Sequence, residues 1–317
     1  MKILCMGLVD YDITLPLDGY PEENTKNRLT EKIECGGGQT ANAACLLAKY
    51  GEDVYISGLI GNDLYGNNII REFNKFGVKT DYLDIDDNYN TSVSHILVNL
   101  KNSSRTTLTV KEPHPMREIN IDIKPDIILI DGQEPLMSKK VFAENPDAIK
   151  IIDAGSYREP IISLCHDVDL IIASLDFLEG FCDAKIHTEE ELKVAYEKMQ
   201  KFYDKELIVT IGRLGSMGMI NDEPTLIPSI KVDEKDSTGA GDIFHGAFIY
   251  GLIHGMSLEN NMIFSNIAGA LSVRKIGARN SFPELEEVKK IYDEYRWYII
   301  YWFSTDNRFT WLWSHVC

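Results

Sequence analysis

The sequence has no run of about 18 apolar residues, no C-x-x-C pair, no excess of basic charge and, before residue 297, no tryptophan. Each absence removes a class of function. Without a long apolar run, no membrane-spanning helix is expected. The six cysteines, Cys5, Cys35, Cys45, Cys165, Cys182 and Cys317, are scattered, which argues against a zinc ribbon or disulfide framework and for reduced thiols in a cytoplasm. Lys and Arg number 32 against 49 Asp and Glu, a net charge of −17. Such a chain repels nucleic acid and anionic membrane, so neither is expected as a partner and any phosphate-handling site must be local. The short apolar run Ile3 to Val9 is followed at once by Asp10 and Asp12 without a small-residue cleavage site. It reads as a buried first strand rather than a signal peptide.

What is present fits a folded chain of 317 residues, 44% apolar and 26% charged, long enough for one large domain with an appendage. Short apolar runs, Ile3 to Val9, Val54 to Leu59, Ile127 to Ile130, Ile149 to Ile152, Leu170 to Ala173 and Leu207 to Ile211, alternate with helical stretches. Continuous apolarity of that kind is tolerated by strands buried on both faces, so a mostly parallel sheet sandwiched by helices is expected. Thr188 and Glu191 form a capping box ahead of a buried stripe, Leu192, Ala195, Tyr196 and Met199. Two segments break the alternation. Thr91 to Leu100, a Lys101–Ser104 turn and Arg105 to Val110 read as a hairpin, while Tyr11 to Glu34 holds Pro16, Gly19 and Pro21 without a helical period. Together they predict a small antiparallel lid. The division is therefore an α/β core over 1–10, 36–90 and 112–292, a β-lid over 11–35 and 91–111, and a tail over 293–317. All four tryptophans, Trp297, Trp302, Trp311 and Trp313, fall in that tail, which reads either as a docked amphipathic helix or as a segment of foreign origin.

The most informative stretch is Asp236-Ser237-Thr238-Gly239-Ala240-Gly241-Asp242, followed by apolar residues at 244, 247 and 248. It reads as a tight turn entering a buried helix near Gly239. Glycines let a ligand approach the backbone, and free N–H groups at a helix start favour an anion, with Asp242 beside it. Taken alone, a structural Gly-rich turn is the commoner origin of such a pattern. His95 and His114 have no companion at metal spacing and read as loop histidines, and His245 reads as a packing residue.

Asp236 to Phe248 resembles the C-terminal signature of the PfkB (ribokinase-like) carbohydrate kinase family. Gly36-Gly37-Gly38-Gln39-Thr40-Ala41-Asn42, leading to Gly58-Leu59-Ile60-Gly61-Asn62-Asp63, resembles its N-terminal signature. The resemblance covers about residues 3 to 290. It implies an α/β fold, a ribokinase-like three-layer α/β/α sandwich with a small projecting β-sheet lid, and an ATP-dependent sugar kinase using Mg2+. It implies Asp242 as general base, Gly239, Ala240 and Gly241 as the anion hole, and Asp10, Asp12, Gly37, Gly38 and Asn42 at the sugar, with Arg105 and Asp131 as further substrate contacts. It also implies Thr210, Gly212, Gly215, Asn266 and Gly277 at the nucleotide, and Asp236, Gly277 and Ser281 around a monovalent cation such as K+. Pairing of lids between two subunits would make a homodimer. Ala173 to Phe177 departs from the ribokinase Asn-Glu motif, leaving Glu179 as a substitute metal contact. Ile130-Asp131-Gly132 and Ser104-Arg105-Thr106 tilt the expected acceptor slightly toward a ketose or other hexose. A nucleoside kinase and a non-catalytic sugar- or nucleotide-binding regulator are the alternatives.

Overall fold

The computed structural model describes residues 1–304 apart from 114 and 116, with side chains up to residue 295. The apolar runs form one nine-stranded sheet. Seven strands are parallel: β1 (Lys2–Met6), β4 (Asp53–Gly61), β5 (Lys79–Asp86), β8 (Ile127–Ile130), β9 (Ile149–Ala154), β10 (Leu170–Ser174) and β11 (Glu206–Thr210). Antiparallel β12 (Gly215–Ile220) and β13 (Glu223–Pro228) finish one edge, giving the order β13-β12-β11-β10-β9-β8-β1-β4-β5.

Alternate strand residues feed two separate cores. Ile3, Cys5, Ile127, Leu129 and Ile172 point to one side, where they meet α1 (Gln39–Lys49), α2 (Leu64–Phe76), α7 (Ala240–Ile253), α8 (Leu258–Ser272) and α9 (Leu285–Ser304). Leu4, Met6, Ile128, Ile130 and Ile171 point to the other, against α3 (Pro135–Glu144), α4 (Glu159–Leu164), α5 (Leu175–Cys182) and α6 (Glu189–Tyr203). The capping box at Thr188 and Glu191 opens α6 as expected, and its stripe is buried. The two-period of a strand thus divides one apolar run between two helix layers, and the result is a three-layer α/β/α sandwich.

Strand order reverses at β1: the chain winds through β4 and β5 on one side and through β8 to β11 on the other. In open α/β sheets, ligands occupy the crevice at such a switch point, outside the carboxyl ends of the strands. Over it stands a second sheet, β3-β2-β6-β7, made of β2 (Asp10–Leu17), β3 (Ile33–Gly37), β6 (Val93–Asn99) and β7 (Ser104–Val110). This sheet differs from expectation in being mixed, because β2 and β6 run parallel with Tyr11 opposite Val93. Residues 38–92 between them carry a full crossover of helix and strand, which returns the chain in the same direction. Leu100 lies beyond the end of β6 and is 45% exposed, so it does not extend the Ile96 and Val98 face. The aromatic tail beyond residue 295 lies outside the residues whose side chains are described.

Candidate active site

Helix α7 begins without a side-chain cap. Its N-cap, Gly239, has φ 77°, a left-handed conformation costly for any residue with a Cβ. Ala240 N–H reaches Ser237 O, whereas the Gly241 and Asp242 amides find no partner among the described residues. A Cβ on Gly241 would meet open space. Unpaired amides, the positive end of the helix and room above Gly241 together suit an incoming anion.

Asp242 sits in this first turn. Its Oδ2 accepts from Asn42 Nδ2 at 2.8 Å, across an α1–α7 contact. Burial pushes its carboxyl up to about 7, helped by the charge of Asp153 from β9 and opposed by the Asn42 hydrogen bond, His245 and Arg105. The buried His245 is anchored through Nδ1 on Gly241 O at 2.6 Å, with Asp153 Oδ2 at 3.5 Å. It is the packing residue that the sequence predicted, and it sits behind the helix start.

The lid strands bring a second acidic pair to the same crevice. Asp10 and Asp12 leave β2 toward Gly37 of β3, and a Cβ at Gly37 would lie 2.5 Å from Asp12 Oδ2 and 2.6 Å from Asp10 Oδ1. Only glycine fits between them. Ser94 Oγ donates to Asp10 Oδ2, and Asp10 Oδ1 is buried without a partner. A buried acceptor left open is costly unless a ligand hydroxyl fills it. Burial raises both carboxyls, and the charge of Asp10 raises Asp12 further. Gly38, at φ 96°, places its Cα against Leu8 O, so that α1 can start beside the β1 exit. From the lid hairpin, Ser103 Oγ donates to Glu234 O at 2.6 Å and Arg105 Nη1 donates to Ser237 Oγ. The hairpin therefore rests on the segment that leads into α7.

One expected sugar contact has another occupation. Both oxygens of Asp131 are taken: Oδ2 accepts from Leu8 N at 2.8 Å and Oδ1 from Gln133 N at 2.9 Å. At 1% exposure it ties the end of β8 to the turn after β1. Burial raises it to about 6.

The whole-chain comparisons decide the family. A model described as pfkB family carbohydrate kinase matches residues 1–285. The chain belongs to that family. The kinase is 26% identical over 308 residues to the ribokinase of Bacillus subtilis, covering 92% of this chain and 99% of that one. A crystal structure of ribokinase from Thermotoga maritima superposes with a TM-score of 0.75 at 26% identity, covering 92% and 99% of the two chains. That of Arabidopsis thaliana ribokinase complexed with ribose and ATP gives 0.77 at 24% identity over 92% and 98%. The chain is thus a phosphotransferase with an alcohol group as acceptor.

In this kinase Thr210, Gly212, Gly215 and Asn266 lie around β11, β12 and β13, while Gly277 belongs to the turn held by Asp236. Thr210 ends β11, with Oγ1 donating to Ala173 O, and Gly212 and Gly215 bracket the turn into β12. Asn266 on α8 donates from Nδ2 to Ile227 O, and Gly277 has φ 86°. The expected cation ligands are engaged otherwise. Asp236 Oδ1 accepts from Thr238 N and Oγ1, its Oδ2 accepts from Gly277 N, and Ser281 Oγ donates to Ala278 O. These bonds clasp the pre-α7 loop to the 277 turn, and neither Asp236 nor Ser281 offers an orphaned oxygen. Glu179 is likewise committed to Lys185 and Ile186 N, and Ser174 caps α5. No group of three His, Cys, Asp or Glu side chains converges among the described residues.

Sequence reading missed a buried cation. Arg279, 5% exposed, links Asn42, Glu72 and Gly37. Its only signal was a charge inside the Gly277 to Pro283 turn.

Proposed function

We propose that this kinase transfers the γ-phosphoryl of ATP, supplied as its magnesium complex, to the hydroxymethyl group of a sugar, with Asp242 as general base. The observation that carries the reading is one partly buried carboxylate beside unpaired amides at a helix start, with open space above Gly241. Asp242, raised to about 7, is poised to take the hydroxyl proton near neutral pH. The amides of Gly241 and Asp242 would meet the charge of the transferring group, and phosphoryl transfer asks little of a protein beyond such alignment and charge stabilisation. Asp10 and Asp12 would accept from sugar hydroxyls, the open Asp10 Oδ1 first. Thr210, Gly212, Gly215, Asn266 and Gly277 would border the nucleotide. Residues 11–35 and 91–111 would form a lid excluding water during transfer, and its edge strand would pair two subunits of a cytoplasmic homodimer.

The Asp131 carboxylate already accepts from Leu8 N and Gln133 N, which weighs less toward a hexose acceptor than its place at a strand end did, and a pentose such as the ribose named for the relatives leads. One observation favours a second reading, a sugar bearing an anionic group remote from the acceptor hydroxyl. Lys111 Nζ and Arg158 Nη2 both reach the Asp131–Gln133 turn, hydrogen-bonded to the neutral acceptors Gln133 Oε1 and Asp131 O. A nucleoside acceptor ranks lower, since few aromatics near the lid could clamp a base: Tyr11 packs on Tyr65 and Tyr89 is buried, leaving Tyr20, 43% exposed. A coupled ADP-release screen over pentoses, ketoses, sugar acids, sugar phosphates and nucleosides tests the reading. Turnover of at least one sugar above every nucleoside is expected, and the reverse order would overturn it.

A further inference from the structure

The guanidinium of Arg279 is enclosed by α1, α2 and β3. Its Nε donates to Asn42 Oδ1 at 3.0 Å, Nη1 to Glu72 Oε2 at 2.9 Å and Nη2 to Gly37 O at 3.1 Å, and its plane lies over the Phe73 ring. The fit excludes any side chain at Gly36, where a Cβ would come within 1.9 Å of Nη1. A guanidinium has donors only, so the Asn42 amide must turn its oxygen to Arg279. Its NH2 is then left to face Asp242, where it donates to Oδ2.

We propose that Arg279, locked by Glu72, is a positioning residue that sets the proton affinity of Asp242 and the direction of its free oxygen through the orientation of the Asn42 amide. Were Asn42 to flip, its carbonyl would confront the Asp242 carboxylate, and the base would hold its proton to higher pH. The other groups that face Asp242 are Asp153 from β9, His245 one turn along α7, Arg105 from β7 and Asp12 from β2. Among the described residues none of them hydrogen-bonds to the Asn42 side chain. Arg279 also holds down the carboxyls of Asp10 and Asp12, so its loss would weaken the sugar side as well. A buried ion pair is weak evidence for net stability but suits fixing one geometry.

The inference rests on Asp242 being the base, and its test separates the two claims. Arg279→Gln and Glu72→Gln are compared with wild type by kcat against pH and by NMR titration of side-chain carboxyl carbons, with the Asp242 resonance assigned by its loss in Asp242→Asn. The expected result is an Asp242 titration and acid limb displaced upward by about one pH unit, so about tenfold less activity on the acid limb, with most activity regained at alkaline pH. Glu72→Gln should move both in the same direction by less. Titration curves superimposable on wild type in folded Arg279→Gln or Glu72→Gln, whatever the loss of thermal stability, would reduce Arg279 to a structural residue. Full turnover in Asp242→Asn would instead strike at the base assignment, while the carboxyl titration would still read the Arg279 effect.

Discussion

At Asp242 the requirements of chemistry and of stability oppose each other. An ordinary carboxyl ionises near 4 in the unfolded chain, while this one is held to about 7 in the fold. Between those values the folded state binds a proton that the unfolded state has released, so its contribution to stability falls as pH rises from about 4 to about 7. Asp242→Asn removes that cost, and thermal unfolding at pH 8 should show a higher Tm than wild type, with the difference shrinking toward pH 4. A lower Tm at pH 8 would show that the charged form is stabilised by the fold. The residues of this site that were legible in sequence, 36–42 and 236–242, are those whose role follows from their immediate neighbours: a glycine at a helix start or a carboxylate one turn in. Arg279 and Glu72 were not legible, since they meet across 207 positions. Sequence reveals the Asp131 carboxylate at a strand end but not the amides of Leu8 and Gln133 that fold onto it.

Among the elements, six of the seven parallel strands and helix α6 were read from their own apolar runs and cap, whereas the edge strand β5, mostly not buried, carries no such run. The pairing of β2 with β6 was not, since strand direction there depends on the long crossover between them rather than on either strand's pattern. The same lid sheet ends in β7, which is exposed along its whole length and offers Leu108 and Val110 at 57% and 70% exposure. An exposed edge strand with apolar side chains invites pairing with another copy. Wild type should run as a dimer in light scattering at micromolar concentration, and Leu108→Lys with Val110→Lys should give a folded monomer. A variant that stays dimeric would place the interface elsewhere. Helix α6 supplies a control far from the crevice: Thr188→Ala removes the hydroxyl half of its capping box, leaving the backbone N–H bond to Glu191, and should cost about 1 kcal/mol in denaturant unfolding without changing KM for ATP or sugar.

Over the whole molecule, a chain of net charge −17 gathers Arg105, Lys111, Arg158 and Arg279 around one crevice at the point where the strand order reverses. Composition opposes a general affinity for phosphate, and under the proposed function the helix-start amides and a few cations would supply a local one. The same convergence buries Asp10, Asp12 and Asp153 and partly buries Asp242, which desolvation and mutual repulsion make costly. A fold that needed only to bind a neutral sugar and a nucleotide would not require the last of these beside the anion-binding turn. The most direct measurement is therefore the rate of ADP formation by Asp242→Asn with the best sugar acceptor at saturating ATP, across pH 5.5 to 9. We expect a folded protein that still binds sugar and ATP, with kcat lowered by roughly 10² to 10⁴ and without the acid limb near 7 expected of wild type. A kcat within a few fold of wild type, with that limb intact, would contradict the assignment of Asp242 as the base.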